Sequence, residues 1–342
     1  MFQFNTIQKG LKGRNIISTE DLSIPEIKEV LSLAKDMKRN RFSSKFTDVL
    51  KHKTFLMFFY NPSVRTRQSF EAAMTELGGH AQFLEPKSMR LKTEKSAGET
   101  IEDSAKVMSR YAAGIGIRIL EDKITKYGEG DWLIREYAKF ADVPVFSMAH
   151  DKFHPFQGLA DIMGLQEYFD EVKGKKLLMT WAHGALARSW CSIQENLLIS
   201  SRLGMSINLA HPEGYELDKE VIEKTKKYCE ENGQEFKITN EVEKGYNNVN
   251  VVYSRNWMSP NAYKNGILQK ELEIKKSMKY TKWICDSRKM KYTDNAVFIH
   301  PMPVDRGNEV SDEVASGKNS LIYEIAENRL HVQKALLALT MC

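Results

Sequence analysis

Two guanidinium groups and two hydroxyl groups lie close together in the segment 61–67, Asn-Pro-Ser-Val-Arg-Thr-Arg. An apolar run that is typical of a strand precedes this segment, and a helical pattern follows it. At such a junction, free backbone N–H groups and the positive end of the helix dipole favour an anion. Arginine adds charge-assisted hydrogen bonds that suit a phosphate group. The segment therefore predicts a phosphate site, with an ordinary N-cap at Ser63 beside solvated arginines as the alternative.

Three further residues lie where a parallel sheet would hold a ligand. Arg118 closes the apolar run Gly-Ile-Gly-Ile-Arg, and ligand crevices lie beyond the carboxyl ends of such strands. His154 precedes Pro155, which favours the first position of a helix, and Gln157 follows in the same turn. An imidazole N–H and a carboxamide at one helix start can hold a carbonyl oxygen and an amide nitrogen. A surface arginine and a structural histidine are the alternatives that these residues leave open by themselves.

Another candidate segment follows the apolar run that ends at His300. Pro301 and Pro303 prevent the chain from continuing as a paired strand, which leaves carbonyl groups free to accept hydrogen bonds. The same pattern is also typical of an ordinary turn.

Short apolar runs alternate with segments of helical period, which predicts an α/β fold with two doubly wound parallel-sheet domains. In the first domain, residues 1–150, we expect helices at 24–39, 65–77 and 100–111 and strands at 54–60, 81–84, 114–119 and 143–148. In the second, residues 151–323, we expect strands at 177–181, 206–210, 249–253 and 296–300 after an interdomain helix at 155–169. A final amphipathic helix at 324–341 must bury its apolar stripe, and we expect it to pack back on the first domain.

The composition excludes several classes of protein. The chain has 342 residues, 42% of them hydrophobic and 28% charged, which is ordinary for a globular protein and long enough for two domains. Its net charge of +5 is spread along the chain, so we expect anionic small molecules as partners and not nucleic acid. Four scattered cysteines, no signal peptide and no long apolar run predict a cytoplasmic protein without a membrane segment.

Taken in order, the motifs resemble those of the aspartate and ornithine carbamoyltransferase superfamily, and the match covers nearly the whole chain. The matching segments are Ser63-Val64-Arg65-Thr66-Arg67, Gly98-Glu99-Thr100, Arg118, His154-Pro155-Phe156-Gln157 with Ala160-Asp161, and His300-Pro301-Met302-Pro303 with Arg306. The fold that this resemblance implies, two parallel-sheet domains joined by a helix with the active site between them, agrees with the pattern of strands and helices.

The resemblance implies transfer of a carbamoyl group from carbamoyl phosphate to the amino group of a small acceptor, with no metal ion or organic cofactor. It implies that carbamoyl phosphate is bound by Ser63, Val64, Arg65, Thr66, Arg67, Arg118, His154, Gln157 and the carbonyl groups of Pro301 and Met302. His154 is expected to polarise the carbamoyl oxygen, and Arg306 to steady the leaving group or the acceptor. The resemblance also implies a homotrimer whose active sites are shared between subunits.

The segment 93–98 resembles the family's mobile loop, which reaches into the site of a neighbouring subunit. Aspartate enzymes carry a lysine just before the Gly-Glu pair, whereas Ala97 stands there in this chain. The resemblance therefore assigns an acceptor-binding role to Lys95, or in its place Lys92.

The segments that choose the acceptor show mixed features. Aspartate enzymes bind the carboxylates of their substrate through arginines, one of which is replaced by Ala185, while Arg255 stands where they carry a second. Arg255 would repel the free ammonium of unmodified ornithine, and Trp257 could cover an apolar or acyl portion of an acceptor. The proline at position 301 resembles the sequence of the aspartate enzymes, since ornithine enzymes have a cysteine at this position. We therefore expect a divergent member that acts on a carboxylate-bearing amine or amide.

Several alternatives remain at this point. Segments such as 209–215 and 327–334 resemble the N-acylornithine carbamoyltransferases, although the proline-rich loop that forms the chain knot of those enzymes is absent after Trp181. The chain could therefore be an aspartate or an N-acylornithine carbamoyltransferase proper. A non-catalytic structural or regulatory member is a further alternative, because Ala97 and Ala185 remove expected side chains. A dehydrogenase is disfavoured, because Gly114 and Gly116 do not complete a dinucleotide-binding fingerprint.

Overall fold

The computed structural model describes residues 5–86 and 97–342 of the chain. The chain divides into two compact units. The first unit is Met1–Leu159 together with Asn328–Cys342, and the second unit is Ala160–Glu327. The sequence pattern predicts that the first domain ends at residue 150 and that the chain returns to it at residue 324.

The first unit is built on a four-stranded parallel sheet in the order β2-β1-β3-β4. Its strands are β1 (Thr54–Phe59), β2 (His80–Leu84), β3 (Gly114–Ile119) and β4 (Val145–His150). Its helices are α1 (Thr6–Lys9), α2 (Ile24–Arg39), α3 (Val64–Glu76), α4 (Ile101–Tyr111) and α5 (Glu129–Phe140), with 3₁₀ turns at Thr19–Asp21 and Glu121–Lys123. Helix α6 (Pro155–Phe169) begins in the first unit and ends in the second.

Local chemistry explains why these segments fold as they do. Helix α2 starts with a capping box, in which the Ser23 N–H donates to Glu26 Oε2 at 2.7 Å and the Glu26 N–H donates to Ser23 Oγ at 3.4 Å. The central strands β1 and β3 are almost entirely buried, which accounts for their continuous apolar sequences. A Cβ atom at Gly116 would lie 2.6 Å from the Phe55 ring, so the packing of β3 against β1 requires a glycine there.

The second unit contains a five-stranded parallel sheet in the order β11-β8-β5-β6-β7 and a small antiparallel hairpin, β9-β10. The strands are β5 (Lys176–Trp181), β6 (Ser206–Ala210), β7 (Phe236–Thr239), β8 (Val251–Arg255), β9 (Tyr263–Lys264), β10 (Ile267–Leu268) and β11 (Val297–Ile299). The helices are α7 (Cys191–Arg202), α8 (Lys219–Glu231), α9 (Val242–Gly245), α10 (Lys270–Ser277), α11 (Ser287–Met290) and α12 (Asp312–Ala315). Helix α13 (Ile322–Met341) begins in the second unit and ends in the first.

The end of α13 packs on the first unit. The Lys38 ammonium donates to Asn328 Oδ1 at 2.7 Å, and the Gly13 N–H donates to the Thr340 carbonyl at 2.9 Å. The apolar residues Leu330, Val332, Leu336 and Leu339 of this helix are buried. The predicted return of the C-terminal helix to the first domain is therefore confirmed.

The predicted α/β fold with two parallel sheets is also confirmed. The pattern did not predict β7 or the β9-β10 hairpin, because neither has the buried apolar residues that mark a strand: β7 is an edge strand on which Ile238 is 49% exposed. Within residues 5–86 and 97–342, no helix has both the length and the apolar character needed to cross a membrane.

Candidate functional site

The predicted phosphate loop connects β1 to α3. Ser63 is the N-cap of α3, and its hydroxyl oxygen accepts a hydrogen bond from the Thr66 N–H at 3.3 Å. A hydroxyl that accepts in this way still has its own proton to donate. The start of α3 therefore presents a hydroxyl, further N–H groups and the positive end of the helix dipole at one point.

The side chains of the loop differ in their surroundings. Arg65 is half-buried, whereas Arg67 is exposed, donates to Glu71 Oε1 at 2.8 Å and lies 4.1 Å from the centre of the Phe83 ring. Val64 is 78% exposed, so only its backbone N–H could serve an anion. Arg67 is thus held partly by its own neighbours, and Arg65 is the more enclosed guanidinium of the loop.

Strand register places Arg118 beside this loop, at the carboxyl ends of the strands of the first sheet. Arg118 on β3 pairs with Phe59, the last residue of β1, and its carbonyl accepts the Tyr60 N–H at 3.0 Å. Asn61 adds a link, because its Oδ1 accepts the Leu120 N–H at 2.7 Å. In the order β2-β1-β3-β4 the direction of winding reverses between β1 and β3, and open α/β sheets bind ligands at such switch points.

His154 and Gln157 also lie beyond the carboxyl ends of the strands of the first sheet. They lie at the start of α6, which follows β4, and Ile119 of β3 pairs with His150 at the end of β4. Both side chains are buried, with exposures of 6% and 1%. The first unit therefore gathers the loop, Arg118, His154 and Gln157 at the carboxyl ends of three neighbouring strands.

A buried arginine that sequence reasoning missed also belongs to this group. Arg329 on α13 is 5% exposed, and its Nη2 donates to Thr66 Oγ1 at 2.9 Å. It brings a further positive charge against the start of α3. The signal in the sequence was an arginine within a helix whose other neighbours are buried, since a charged side chain on such a face needs a partner.

In the second unit, Arg255 lies at the corresponding position of its own sheet. The winding order of this sheet reverses between β5 and β8, and Arg255 ends β8 opposite Trp181, the last residue of β5. Its Nη1 contacts Ser192 Oγ, and its carbonyl accepts the Ala182 N–H at 3.0 Å. The predicted acceptor arginine is therefore held at the switch point of this sheet, at the carboxyl ends of its strands.

Trp257 lies deeper in the second unit and is fully buried. Its indole N–H donates to the Tyr215 carbonyl at 2.9 Å, and its own carbonyl accepts the indole N–H of Trp181 at 2.9 Å. The rings of Trp181 and Tyr215 lie 4.5 Å apart. Trp257 thus belongs to an aromatic core behind the sheet edge, and its contact with an acceptor stays a prediction.

The segment after β5 is held close to this edge. Burial lowers the pKa of His183, although Asp305 and Glu309 act in the opposite direction, so the imidazole is neutral near pH 7. Two residues further on, the Ala185 N–H donates to Asp305 Oδ2 at 2.7 Å. Ala185 therefore contributes only a methyl group at the position where aspartate enzymes carry an arginine, and its backbone N–H is bound by Asp305.

The segment with Pro301 and Met302 is fixed at two points. The Met302 N–H donates to His300 Nδ1 at 2.8 Å, and Arg188 Nη1 donates to the Pro303 carbonyl at 2.7 Å. Burial lowers the pKa of His300 to about 4, so the imidazole is neutral. Because Nδ1 accepts a hydrogen bond, the single ring proton is on Nε2.

The remaining predicted residues are Arg306, Lys95 and Lys92. Arg306 is on the surface of the second unit, where its Nη1 donates to Asp312 Oδ1 and to Ser316 Oγ at 2.9 Å each. Lys95 and Lys92 lie outside the described residues. In the part of the chain that the structure describes, no cluster of three or more histidine, cysteine or acidic residues could hold a metal ion.

Two family models match the chain and together cover most of it. Residues 14–167 match the carbamoyl-P binding domain of aspartate/ornithine carbamoyltransferase, and residues 174–340 match the Asp/Orn binding domain.

Individual relatives agree with the family models. The ornithine carbamoyltransferase of Methanobrevibacter smithii is 35% identical over 325 residues, covering 94% of this chain and 98% of the relative. The N-acetylornithine carbamoyltransferase of Xylella fastidiosa is 32% identical over 337 residues, covering 95% and 98%. Among solved structures, acetylornithine transcarbamylase complexed with acetylcitrulline has a TM-score of 0.88 at 32% identity, covering 95% of this chain and 98% of that one. With both of its units matched and its predicted phosphate loop at the switch point of the first sheet, the chain belongs to the aspartate/ornithine carbamoyltransferase family and is an enzyme of that type.

Proposed function

We propose that this enzyme transfers the carbamoyl group of carbamoyl phosphate to the amino group of a small, carboxylate-bearing acceptor and releases phosphate. The observation that carries the proposal is the register of β1, β3 and β4, since it aligns the phosphate loop, Arg118 and His154 along one sheet edge. An oxyanion and a polarised carbonyl group need such an arrangement of donors.

In this proposal, Ser63, Val64, Arg65, Thr66, Arg67 and Arg118 bind the phosphate group. The helix dipole of α3 and the guanidinium groups supply positive charge, and the backbone N–H groups supply directed donors. Arg329 joins this set, because its hydrogen bond to Thr66 holds that hydroxyl group and adds positive charge behind it.

The carbamoyl group is held by His154, Gln157 and the carbonyl groups of Pro301 and Met302. The neutral amine of the acceptor attacks the carbamoyl carbon, a C–N bond forms, the C–O bond to phosphate breaks, and the departing phosphate takes the amine proton. Negative charge builds on the carbamoyl oxygen during the attack, and a preorganised donor such as His154 lowers the barrier by about 3 kcal/mol. Arg306 acts on the leaving group or the acceptor in this scheme, which requires it to leave Asp312.

The acceptor is bound through its carboxylate by Arg255, with Trp257 and Lys95 as further contacts. A guanidinium group can hold one carboxylate bidentately, which favours an acceptor with a carboxylate near its reactive amine. Relatives named for ornithine and N-acetylornithine support an amino-acid acceptor. Arg255 disfavours unmodified ornithine, because its second ammonium group would be repelled.

We also propose that the enzyme works in the cytoplasm as a homotrimer. The four free cysteines support a reducing compartment, and the family resemblance supports the trimer. Light scattering would test the assembly, with three times the chain mass of 39.3 kDa as the expected result.

The function is tested by measuring phosphate release from carbamoyl phosphate with aspartate, ornithine, N-acetylornithine, N-succinylornithine, oxamate and diamines. We expect one carboxylate-bearing acceptor to raise the rate well above the acceptor-free background, and diamines, which lack a carboxylate, to have no effect. Arg65→Ala serves as the matched control, because it should remove the release that depends on this site. Activity with a diamine alone would contradict the proposed acceptor class, and no release with any acceptor would contradict the proposed reaction.

A further inference from the structure

One carboxylate in the interior of the second unit contacts several separate segments of the chain. Glu309 has no exposed surface. Its Oε1 accepts the Asn256 N–H at 2.8 Å, and its Oε2 accepts the Asp305 N–H at 2.8 Å. Oε2 also lies 3.2 Å from His300 Nε2 and 3.4 Å from Arg188 Nη2.

This carboxylate is ionised in the folded protein. Burial alone would raise the pKa of Glu309, but His300, Arg188 and the Asn256 N–H outweigh burial and hold that pKa at about 2. A buried charge is very costly unless it is paired and hydrogen-bonded. Any conformation in which Glu309 loses one of these partners therefore has a higher free energy. Glu309 therefore fixes the positions of the groups around it.

Glu309 controls the direction of the Pro301 carbonyl through His300. The Met302 N–H, which donates to His300 Nδ1, belongs to the same planar peptide group as that carbonyl. In a trans peptide the N–H and the C=O point in opposite directions, so a fixed N–H also fixes the carbonyl. His300 Nε2, which carries the ring proton, lies 3.2 Å from Glu309 Oε2, so the negative charge of Glu309 favours this orientation of the ring.

The other end of the same segment depends on Glu309 through Arg188. One guanidinium group bridges Glu309 Oε2 and the Pro303 carbonyl, so it ties that carbonyl to the carboxylate. Met302 lies between the two fixed points and has a φ of 56°, which a non-glycine residue adopts only when its surroundings hold it there.

Glu309 also contacts the chain on both sides of Arg255. Its carboxylate accepts the Asn256 N–H, and its backbone carbonyl accepts the Ser254 hydroxyl at 3.0 Å. The Asn256 side chain is held in turn by the Ala182 carbonyl and by Ser277 Oγ, at 2.9 Å each. One residue thus connects the segment proposed to hold the carbamoyl group with the arginine proposed to hold the acceptor.

We propose that Glu309 is a positioning residue for carbamoyl transfer, which sets the carbonyl groups of Pro301 and Met302 and the position of Arg255 through His300, Arg188 and Asn256. This inference rests on the proposed function of those residues. It assigns Glu309 no contact with either substrate.

The test compares Glu309→Gln with Glu230→Gln, a control on the surface of α8 where the side chain is 66% exposed. Glutamine keeps the volume of Glu309 but removes its charge, so Arg188 and His300 lose the carboxylate that they face. We expect kcat for acceptor-dependent phosphate release to fall about 100-fold, the scale of a misplacement near 1 Å. Affinity for inorganic phosphate, measured by calorimetry, should not change, because the proposed phosphate residues belong to the first unit.

A binding measurement keeps the inference testable whatever the acceptor is. Phosphonoacetamide carries a methylene group in place of the bridging oxygen of carbamoyl phosphate, so it retains the carboxamide but cannot transfer it. We expect the wild type to bind it more tightly than inorganic phosphate, and Glu309→Gln to lose most of that difference. The inference is overturned if this difference and kcat both match those of the Glu230→Gln control, or if the wild type shows no such difference.

A second pair of variants covers the case in which Glu309→Gln does not fold. Asparagine at position 300 can offer an oxygen where Nδ1 was and accept the Met302 N–H, whereas glutamine reaches instead toward Glu309. We expect His300→Asn to retain more activity than His300→Gln, and equal activities would count against the proposed route through Met302. Failure of the acceptor panel with retained phosphonoacetamide binding would contradict the proposed function alone, because the affinity difference still tests Glu309.

Discussion

Ser63 shows how one side chain can satisfy both interpretations of the phosphate loop. Its oxygen caps α3 by accepting the Thr66 N–H, and its proton remains for an anion. The solvated-arginine alternative describes Arg67, which pairs with Glu71 on the surface, better than it describes Arg65, which is half-buried. The two arginines should therefore differ in how much they contribute to phosphate binding.

We predict that Arg65→Ala lowers the affinity for carbamoyl phosphate and for inorganic phosphate by at least about 10-fold without unfolding the protein, because a charge-assisted hydrogen bond is lost. Calorimetric titration of both ligands would measure this. Arg39→Ala, on the exposed surface of α2 in the same unit, is the control and should leave both affinities unchanged. An Arg65→Ala protein that binds like this control would remove the central claim about the loop.

The sequence predicts a candidate site residue where a motif coincides with the end of a strand. It does not predict a residue whose role depends on a contact with a distant segment of the chain. The loop, Arg118, His154 and Arg255 each follow or end a strand, which the sequence pattern indicates. Arg329 and Glu309 contact residues 263 and 53 positions away in the chain, the Thr66 hydroxyl and the Asn256 backbone N–H, and no local pattern reports such contacts. Arg306 follows from the resemblance, while its ion pair with Asp312 depends on how α12 folds.

At the level of elements, the bounds predicted to the residue belong to buried segments, although neither the exposed β7 nor the buried α7 was predicted. The bounds of α2, β3 and α6 were predicted to the residue, because burial imposes a clear apolar period on them. β7 has no fully buried residue, so its pairing with β6 depends on backbone hydrogen bonds that the sequence does not display. The order of strands in each sheet also required the structure, since apolar runs do not specify their neighbours.

Asp151 illustrates how one element is positioned by the loop of another. Its carboxylate accepts N–H groups from Gly128 and, at 3.1 Å, from Asp131 at the start of α5, although it lies between β4 and α6. A Cβ atom at Gly130 would lie 2.7 Å from Asp151 Oδ1, so glycine is required where the carboxylate approaches the helix. The loop that carries His154 is therefore tied to the first turn of α5.

We predict that Asp151→Ala lowers the free energy of unfolding by about 2 kcal/mol, because buried N–H groups lose their acceptor and α5 loses a negative charge at its start. Urea denaturation followed by circular dichroism would measure the change. Asp142→Ala is the control, since that carboxylate is 62% exposed and its contact with Arg110 spans 3.8 Å. Equal unfolding midpoints for the two variants would show that the cap contributes nothing.

At the scale of the whole molecule, the chain leaves the first unit through α6 and comes back to it through α13. The return is fixed by a buried ion pair: Lys334 has no exposed side-chain surface and donates to Glu76 Oε2 at 2.8 Å. Arg41 donates to the other oxygen of Glu76 at 2.7 Å. Burial acts to raise the pKa of Glu76, but Arg41 and Lys334 outweigh it and hold that pKa below its usual value.

We predict that Glu76→Leu lowers the free energy of unfolding by about 3 kcal/mol, because it leaves the buried Lys334 charge without its partner, whereas Glu76→Leu with Lys334→Met lies near the wild type. A double-mutant cycle in urea would give the coupling energy. Since the pKa of Glu76 is depressed, its contribution is present above the unfolded value of about 4.3 and is lost as the pH falls through the lower folded value. The wild type should therefore lose more stability than the double variant between pH 6 and pH 3. Equal costs for the single and double variants, or parallel pH profiles, would mean that apolar packing and not this ion pair holds α13 on the first unit.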